Sequence, residues 1–504
     1  MAQGVIPFQY EEDPSTADLT AFAGLLLYLD LFAASRLRES VGTHLGFLDG
    51  EQGWTAYELL TSLALLNLAG GDSVNDIEKL EQDAGFAEVF RRFRVDGLNR
   101  RQRRQLKSRW RKEQKRALPS PSALFRFLGA FHDEAQEELR VEGKAFIPAP
   151  NRALRSLQRV LEDLVAFVQC CQPKRTATLD MDATLDETYK RNALHCYKGF
   201  KAFQPLNLWW AEQQLVVRSE FRDGNVPAGF QQLRVLKETL PTLPGGIEEV
   251  SLRTDTAGYE VNLLRYCAEG KDERFGVIPF AVGVDVTEAF KHAVAEVVDK
   301  DWHDLATPDG RESHQQWAEV CFVPNWVAHR KSGPTYRFLA IREPLEQRSL
   351  PGFEEQQQLP FPTMQFMEGT YKLFGVVTNR LEIAGDELIR WHRLRCGKSE
   401  EIHAVMKDDL AGGRLPSNKF GANAAWWGIM ILALNLHSAF KQLALGGEWV
   451  SKRMKAIRFS LLNVAGRVVT HARQLVVRLR GGCALEIMLV ARQRLLALAG
   501  SPSG

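Results

Sequence analysis

The sequence predicts an α/β protein: a mixed sheet with a β-rich insertion, flanked by a helical N-terminal region and a helical C-terminal region. Three observations predict it. From residue 177 to 299 the apolar pattern reads strand, strand, strand, helix, strand, helix, strand, helix. From 300 to 380 short β-rich pieces alternate with polar or Pro-rich linkers such as 354–362. Outside these stretches the apolar residues recur at helical spacing. The 504 residues suffice for two to four domains with a real core. The expected divisions are 1–150, 151–299, 300–380, 381–445 and 446–504.

In chain order, 18–35, 55–68 and 76–90 read as helices, with Gly70-Gly71-Asp72-Ser73 as a turn. Residues 91–116 follow, RRFRVDGLNRRQRRQLKSRWRKEQKR. Thirteen of the 26 are Lys or Arg, opposed only by Asp96 and Glu113, in a chain of net charge +2. So dense a patch points to phosphate backbones and makes 1–150 a candidate nucleic-acid-binding region, with a basic tail or localisation signal as the alternative. Arg100, Arg101, Arg103, Arg104, Lys107, Arg109 and Arg111 are its candidate contacts, with Trp110 embedded among them. A helix over 122–138 opens with Ser at or near its N-cap. Pro148 to Pro150 marks a boundary, and 152–171 is a helix leading into the sheet.

Residues 178–186, TLDMDATLD, alternate strictly. Leu179, Met181, Ala183 and Leu185 take one face, and Asp180, Asp182, Thr184 and Asp186 the other. Several acids on one strand face repel one another unless solvent or a cation compensates, and a metal site is the simplest explanation; the alternative is an edge strand with a wet face. Strands over 205–211 and 214–221 and a helix over 229–240 come next. A strand over 247–254 then delivers Asp255 at its carboxyl end, where ligand sites of open α/β sheets gather. The helices 259–268 and 286–298 flank a strand over 274–282. Within 300–380 the β pieces are 317–326, 335–342 and 371–378; Trp317 and Trp326 read as core rather than as base-stacking rings.

Residues 391–410, WHRLRCGKSEEIHAVMKDDL, read as one amphipathic helix. Arg393, Glu400 and Lys407 stand seven apart and so form one stripe, a carboxylate between two cations. A solvated face of ion pairs is the plainer account, but the two upstream aspartates favour a metal site with phosphate contacts. A core helix over 421–444 follows, then a basic, apolar-interspersed tail, 451–480. Three carboxylates, Asp182, Asp255 and Glu400, suit two divalent ions acting on a phosphodiester by in-line displacement.

These residues carry a resemblance. The chain resembles bacterial insertion-sequence transposases of the DDE superfamily, in the branch with a Tyr-x2-Arg-x3-Glu-x6-Lys signature, and the match covers most of the chain. LDMDAT (179–184) is similar to the first-acid motif, with Asp182 in the catalytic place. RTDTAGY (253–259) is similar to the second and gives Asp255. RCGKSEEIHAVMKDDLAGG (395–413) is similar to the third and gives Glu400, with Lys407 at the required spacing. PSPSALFRFL (119–128) is similar to the end of the family's N-terminal region. Trp391 stands near the signature tyrosine, and Arg395 has four residues before Glu400 where the signature has three. Arg393 and Arg395 are therefore both candidates for the signature arginine, and Asp180 and Glu401 are alternates for the first and third acids.

The resemblance implies a ribonuclease-H-like catalytic domain with Mg²⁺ as cofactor, two ions per site and Mn²⁺ as a substitute. Water would nick the element's terminal inverted repeats, and the freed 3′-hydroxyl would attack the opposite strand and later target DNA, with a hairpin intermediate left open. Partners would be double-stranded DNA, at element ends and target, and a second copy in a homodimer on DNA. The alternatives are a metal-dependent nuclease without strand transfer, a catalytically silent DNA-binding protein, and an RNA-binding scaffold. No GxxxxGK[ST] loop is present, so no nucleotide cofactor is expected.

Compartment follows from the same sequence. The seven cysteines contain no CxxC pair and read as reduced thiols. No basic segment followed by an apolar run opens the chain, so no signal peptide is expected. Residues 424–436, AAWWGIMILALNL, are too short for a bilayer and carry Asn435, so a buried helix is expected and no membrane role. The expected place is the bacterial cytoplasm, at the nucleoid.

Overall fold

A ten-stranded mixed sheet runs through the centre of the molecule. The computed structural model describes residues 18–306, 313–328, 333–345, 361–395, 398–472 and 474–500; the N-terminal 17 residues, Cys396, and most of the linker expected at 354–362 lie outside them. The strands of this sheet are β1 (Thr176–Ala183), β2 (Leu206–Trp210), β3 (Leu215–Glu220), β4 (Glu249–Thr254), β5 (Phe280–Val284), β6 (His303–Asp304), β7 (Gln316–Val320), β8 (Arg337–Pro344), β9 (Thr363–Phe366) and β10 (Gly369–Thr378). Their spatial order is β6-β7-β8-β10-β5-β4-β1-β2-β3, with β9 paired to β10. β1, β2 and β3 form an antiparallel meander, and β4 and β5 continue from β1 in parallel. The order 3-2-1-4-5 with this mixture of directions is the ribonuclease-H-like sheet.

The β-rich insertion is built into that sheet. β10 pairs antiparallel with β5, Val376 opposite Gly283, and β8, β7 and β6 extend from it. β1 is thus a central strand, and its acidic face is no wet edge: Thr178 and Asp180 are buried, as Leu179 and Met181 are on the other face.

Helix α1 (Arg152–Cys171), N-capped by Asn151, buries its apolar stripe Leu157, Val160, Leu161, Leu164 and Val168 and packs on the helices Leu37–Leu45 and Phe420–Ala439 and on β3. Helix α2 (Val261–Ala268) follows β4. The region read as one helix over 391–410 is two: α3 (Gly385–Arg393) and α4 (Lys398–Ala404), the latter continued by a π turn, Val405–Asp409. Leu394 and Arg395 form a turn between them. The stripe of Arg393, Glu400 and Lys407 therefore does not exist: Arg393 belongs to another helix, and the wider π turn rotates Lys407 away from the 3.6-residue register.

Helix α5 (Phe420–Ala439), extended by a π turn to Leu445, lies within a residue of the expected 421–444 and, at 26 residues, is long and apolar enough to cross a bilayer. Nearly every side chain on it is buried inside the protein, so it is a core helix. Asn435 sits there without penalty because it exchanges two hydrogen bonds with the Val216 backbone, at 2.9 and 2.8 Å.

The N-terminal helices join the same core. Leu25, Tyr28 and Phe32 are continuous with Leu179, Met181 and Trp426 in one cluster of buried side chains. Arg458 donates to the carbonyls of Asn67, Leu68 and Asp409, tying N-terminal and C-terminal segments to α4. The C-terminal region is not all helical. Gly466–His471 and Gln474–Leu479 form a hairpin, and the short strand Leu19–Thr20 pairs with its first arm. The β-branched pairs Val468-Val469 and Val476-Val477 favour extended chain. Only Cys483–Gly500 is a long helix there.

Candidate active site

Asp180 and Asp182 sit two apart on β1, so both side chains leave the same face of the central strand. Their fates differ. Arg253, opposite Asp180 in the parallel register of β1 and β4, gives it a bidentate ion pair at 2.6 and 2.8 Å. Both groups are almost fully buried, 5% and 3% exposed. The same guanidinium donates to the Trp391 carbonyl at 2.8 Å and lies over the Trp391 ring. Arg253 thereby clamps β1, β4 and α3 together, and Asp180 is spent on that clamp.

Asp182 lies one turn of the pleat nearer the carboxyl end, half-buried. Burial pushes its carboxyl up to about 6; Arg395 opposes that, and Asp255 and Asp180 push the same way. The Arg395 guanidinium stands 3.6 Å from it, a loose pairing. Asp255 follows the last residue of β4 and caps the short turn Thr256–Gly258, accepting from the Ala257 amide at 3.0 Å. Beneath that turn lies Gly283 of β5, where a Cβ would come within 2.9 Å of the Thr256 nitrogen. Only glycine lets the Asp255 turn settle on the sheet. His392 fastens α3 to the same place, its Nε2–H donating to the Thr254 carbonyl at 2.9 Å. Burial pushes this imidazole down to about 4, so it stays neutral.

The third acid is placed otherwise. Glu400, in the first turn of α4, is exposed, and among the described residues no three Asp, Glu, His or Cys groups gather as a metal cage. Its neighbour Glu401 pairs with Arg453 at 3.1 Å. Of the two candidate arginines, Arg395 faces Asp182, and Arg393 donates to Gln315 of the insertion at 2.7 Å.

Asp255 opens into a polar cleft of about 1010 Å³ that Thr184, Asp186, Asp285, Lys407, Asp408 and Arg414 also line. Lys407 donates to the Leu185 carbonyl at 3.3 Å and so reaches the strand end from α4. Asp186 is buried in the cleft wall, with one oxygen lacking a hydrogen-bond partner. Burial pushes its carboxyl up to about 7, Asp408 adds to this, and Lys407 and Arg414 oppose it. Asp285 and Asp408 were not among the residues expected in the site; Asp186 was expected only as one of the acids on the strand face of 178–186. Asp285 was findable: it follows β5 as Asp255 follows β4, at the same carboxyl edge.

The basic segment contains the helix Arg100–Ser108, opened by a capping box between Asn99 and Gln102. Arg100, Arg103, Arg104 and Lys107 fall on one helical stripe and are exposed, as are Arg101 and Arg111. Arg109 is different. It is half-buried and donates to the carbonyls of Gly53 and Trp54.

The family model described as Transposase DDE domain group 1 matches residues 15–333 and 355–499. No curated protein matches the chain. Among solved structures, the chain is similar to a cryo-EM structure of the piggyBac transposase synaptic complex with hairpin DNA. The two are 10% identical with a TM-score of 0.40, over 96% of this chain and 83% of that one.

Proposed function

The chain belongs to the group 1 family of DDE transposase domains, and from that premise we propose that it is a DNA transposase that binds terminal inverted repeats, cleaves them and joins the 3′-hydroxyl ends to target DNA. The observation that carries this reading is the pairing of Asp182 and Asp255 at the carboxyl ends of β1 and β4, beside a polar cleft. Two acids that repel each other in a half-buried setting, with the Arg395 guanidinium 3.6 Å from Asp182, make a place where a divalent cation would relieve the repulsion. Asp182 and Asp255 would hold it; Glu400, exposed on α4 and not gathered with them here, is proposed as the third ligand, and Mg²⁺ when bound would sharpen the attacking oxygen and stabilise the leaving one. Arg395 and Lys407 neutralise the phosphate being cut. The 3′-oxygen leaves as the bond to the attacking oxygen forms. Two copies act together on DNA, one at each end.

The test is cleavage of a labelled duplex carrying the element's own end, in Mg²⁺ and in EDTA, by the parent and by Glu400→Gln. Nicking that needs Mg²⁺ and disappears in the variant is expected. Equal nicking in EDTA, or by the variant, overturns the assignment.

The exposed stripe on Arg100–Ser108 is proposed as phosphate-contacting surface. Changing Arg100, Arg101, Arg103 and Arg104 to glutamine should weaken duplex binding and make it less salt-dependent. With four phosphate contacts removed, the slope of log K against log salt should flatten by about 3 to 4. A titration from low to high salt reads this directly, and an unchanged slope removes the helix from the interface.

A further inference from the structure

Between β1 and β2 the chain makes a small three-stranded sheet, Asp186–Glu187, Lys201–Phe203 and Leu194–His195. Its base is locked. Arg140 holds Asp223 with both nitrogens at 2.7 Å and donates to the Asn192 carbonyl at 2.8 Å. Asn192 and Arg191 bond Asn418, and Phe203 stacks on Phe221. Its tip is a tight turn, closed by Cys196 N–H to Phe200 O at 2.8 Å and Gly199 N–H to Cys196 O at 2.9 Å. Gly199 supplies the positive φ of 85° that such a turn needs.

At that tip stand Tyr197 and Lys198, both lining the cleft that holds Asp255. Cys196 on one side is buried, yet Tyr197 is 77% exposed. A large ring held in water on a rigid turn contributes almost nothing to the fold. Around it the segment carries Lys190, Arg191, Lys198 and Lys201 against one acid past Asp186, Glu187. Aromatic rings set among cations at a cleft edge suit a strand whose bases are unstacked.

We propose that Tyr197 is a stacking platform for an unpaired base next to the phosphate bound in the cleft, with Lys198 on the adjoining phosphate. The assignment rests on the DNA-cleaving reading, and deepens it by naming what holds the strand out of the duplex. It requires no contribution from Tyr197 to the chemistry itself.

The experiment uses the full chain and duplexes with 2-aminopurine at successive positions around the cleavage site. In EDTA, binding by the parent should change the probe's fluorescence at one position, and Tyr197→Ala should abolish that change. In Mg²⁺, Tyr197→Ala should cleave roughly 10- to 100-fold more slowly, and Tyr197→Phe and Tyr197→Trp should recover the rate, because every aromatic face stacks. Melting temperature should not move. If the parent cuts and Tyr197→Ala cuts equally well, the stacking assignment is overturned and the transposase reading stands. If the parent never cuts and still gives a Tyr197-dependent fluorescence change, the platform stands and the cleavage reading falls. Recovery by neither Phe nor Trp also overturns stacking, since a ring is then not what the site needs.

Discussion

Asp182→Ala should abolish DNA cleavage, leave binding to a duplex end largely intact, and leave the protein folded. The expected loss of rate is on the order of 10⁴-fold or more, the scale seen when one member of an interdependent catalytic group is removed. The fold should tolerate the change because burial already disfavours this carboxylate, and its one ion pair is loose at 3.6 Å. Removing it also relieves repulsion on Asp255. Cleavage and gel-shift measurements on the same preparation separate the two effects. A variant that still cuts places the chemistry elsewhere; one that fails to bind or to fold gives Asp182 a structural role.

Asp180→Ala, two residues away, should do the reverse in kind. It strands Arg253, which is 3% exposed, without its bidentate partner. Removing one member of a buried pair costs about 3–5 kcal/mol, because the remaining charge keeps its desolvation penalty. Urea unfolding should show that loss, and the double variant Asp180→Ala with Arg253→Met should recover much of it. Were Asp180 a metal-binding acid instead, the single variant would keep its stability and lose only activity. The pair of experiments therefore separates the two neighbouring acids by the quantity each one changes.

Much of the fold was legible. The alternation of 178–186, the paired strands after it and the strand ending at Asp255 all lie where local periodicity put them, with boundaries shifted by a few residues. The failures have physical causes. The acids on β1 were read as needing a cation or water, and for Asp180 the compensating charge is Arg253, 73 positions along the chain and invisible to any local pattern. The seven-residue spacing around Glu400 matched a helix that the turn at Leu394 and Arg395 interrupts; spacing cannot register a break that costs no residue of the pattern. The segment 466–479 was classed with the helices, when its adjacent valines carried the better signal. Of the candidate site, Asp182 came from the alternating acidic face of 178–186 and Asp255 from its position at a strand end. The cleft and the tip bearing Tyr197 depend on how the β1–β2 connection folds back, which no run of sequence encodes by itself.

The pairing of Leu19–Thr20 with Gly466–His471 has a consequence for how the protein is made. Asp18 and Arg467, which meet beside that pairing, are 449 positions apart. At about 5–20 residues per second, the ribosome delivers the partner strand roughly 20 to 90 s after the first strand has been synthesised. Throughout that interval the strand edge and the apolar faces carrying Tyr28 and Phe32 wait without the segments that cover them. The nascent chain is thus obliged to stay sticky until its last quarter appears, and its yield in a cell depends on whatever shields that surface meanwhile.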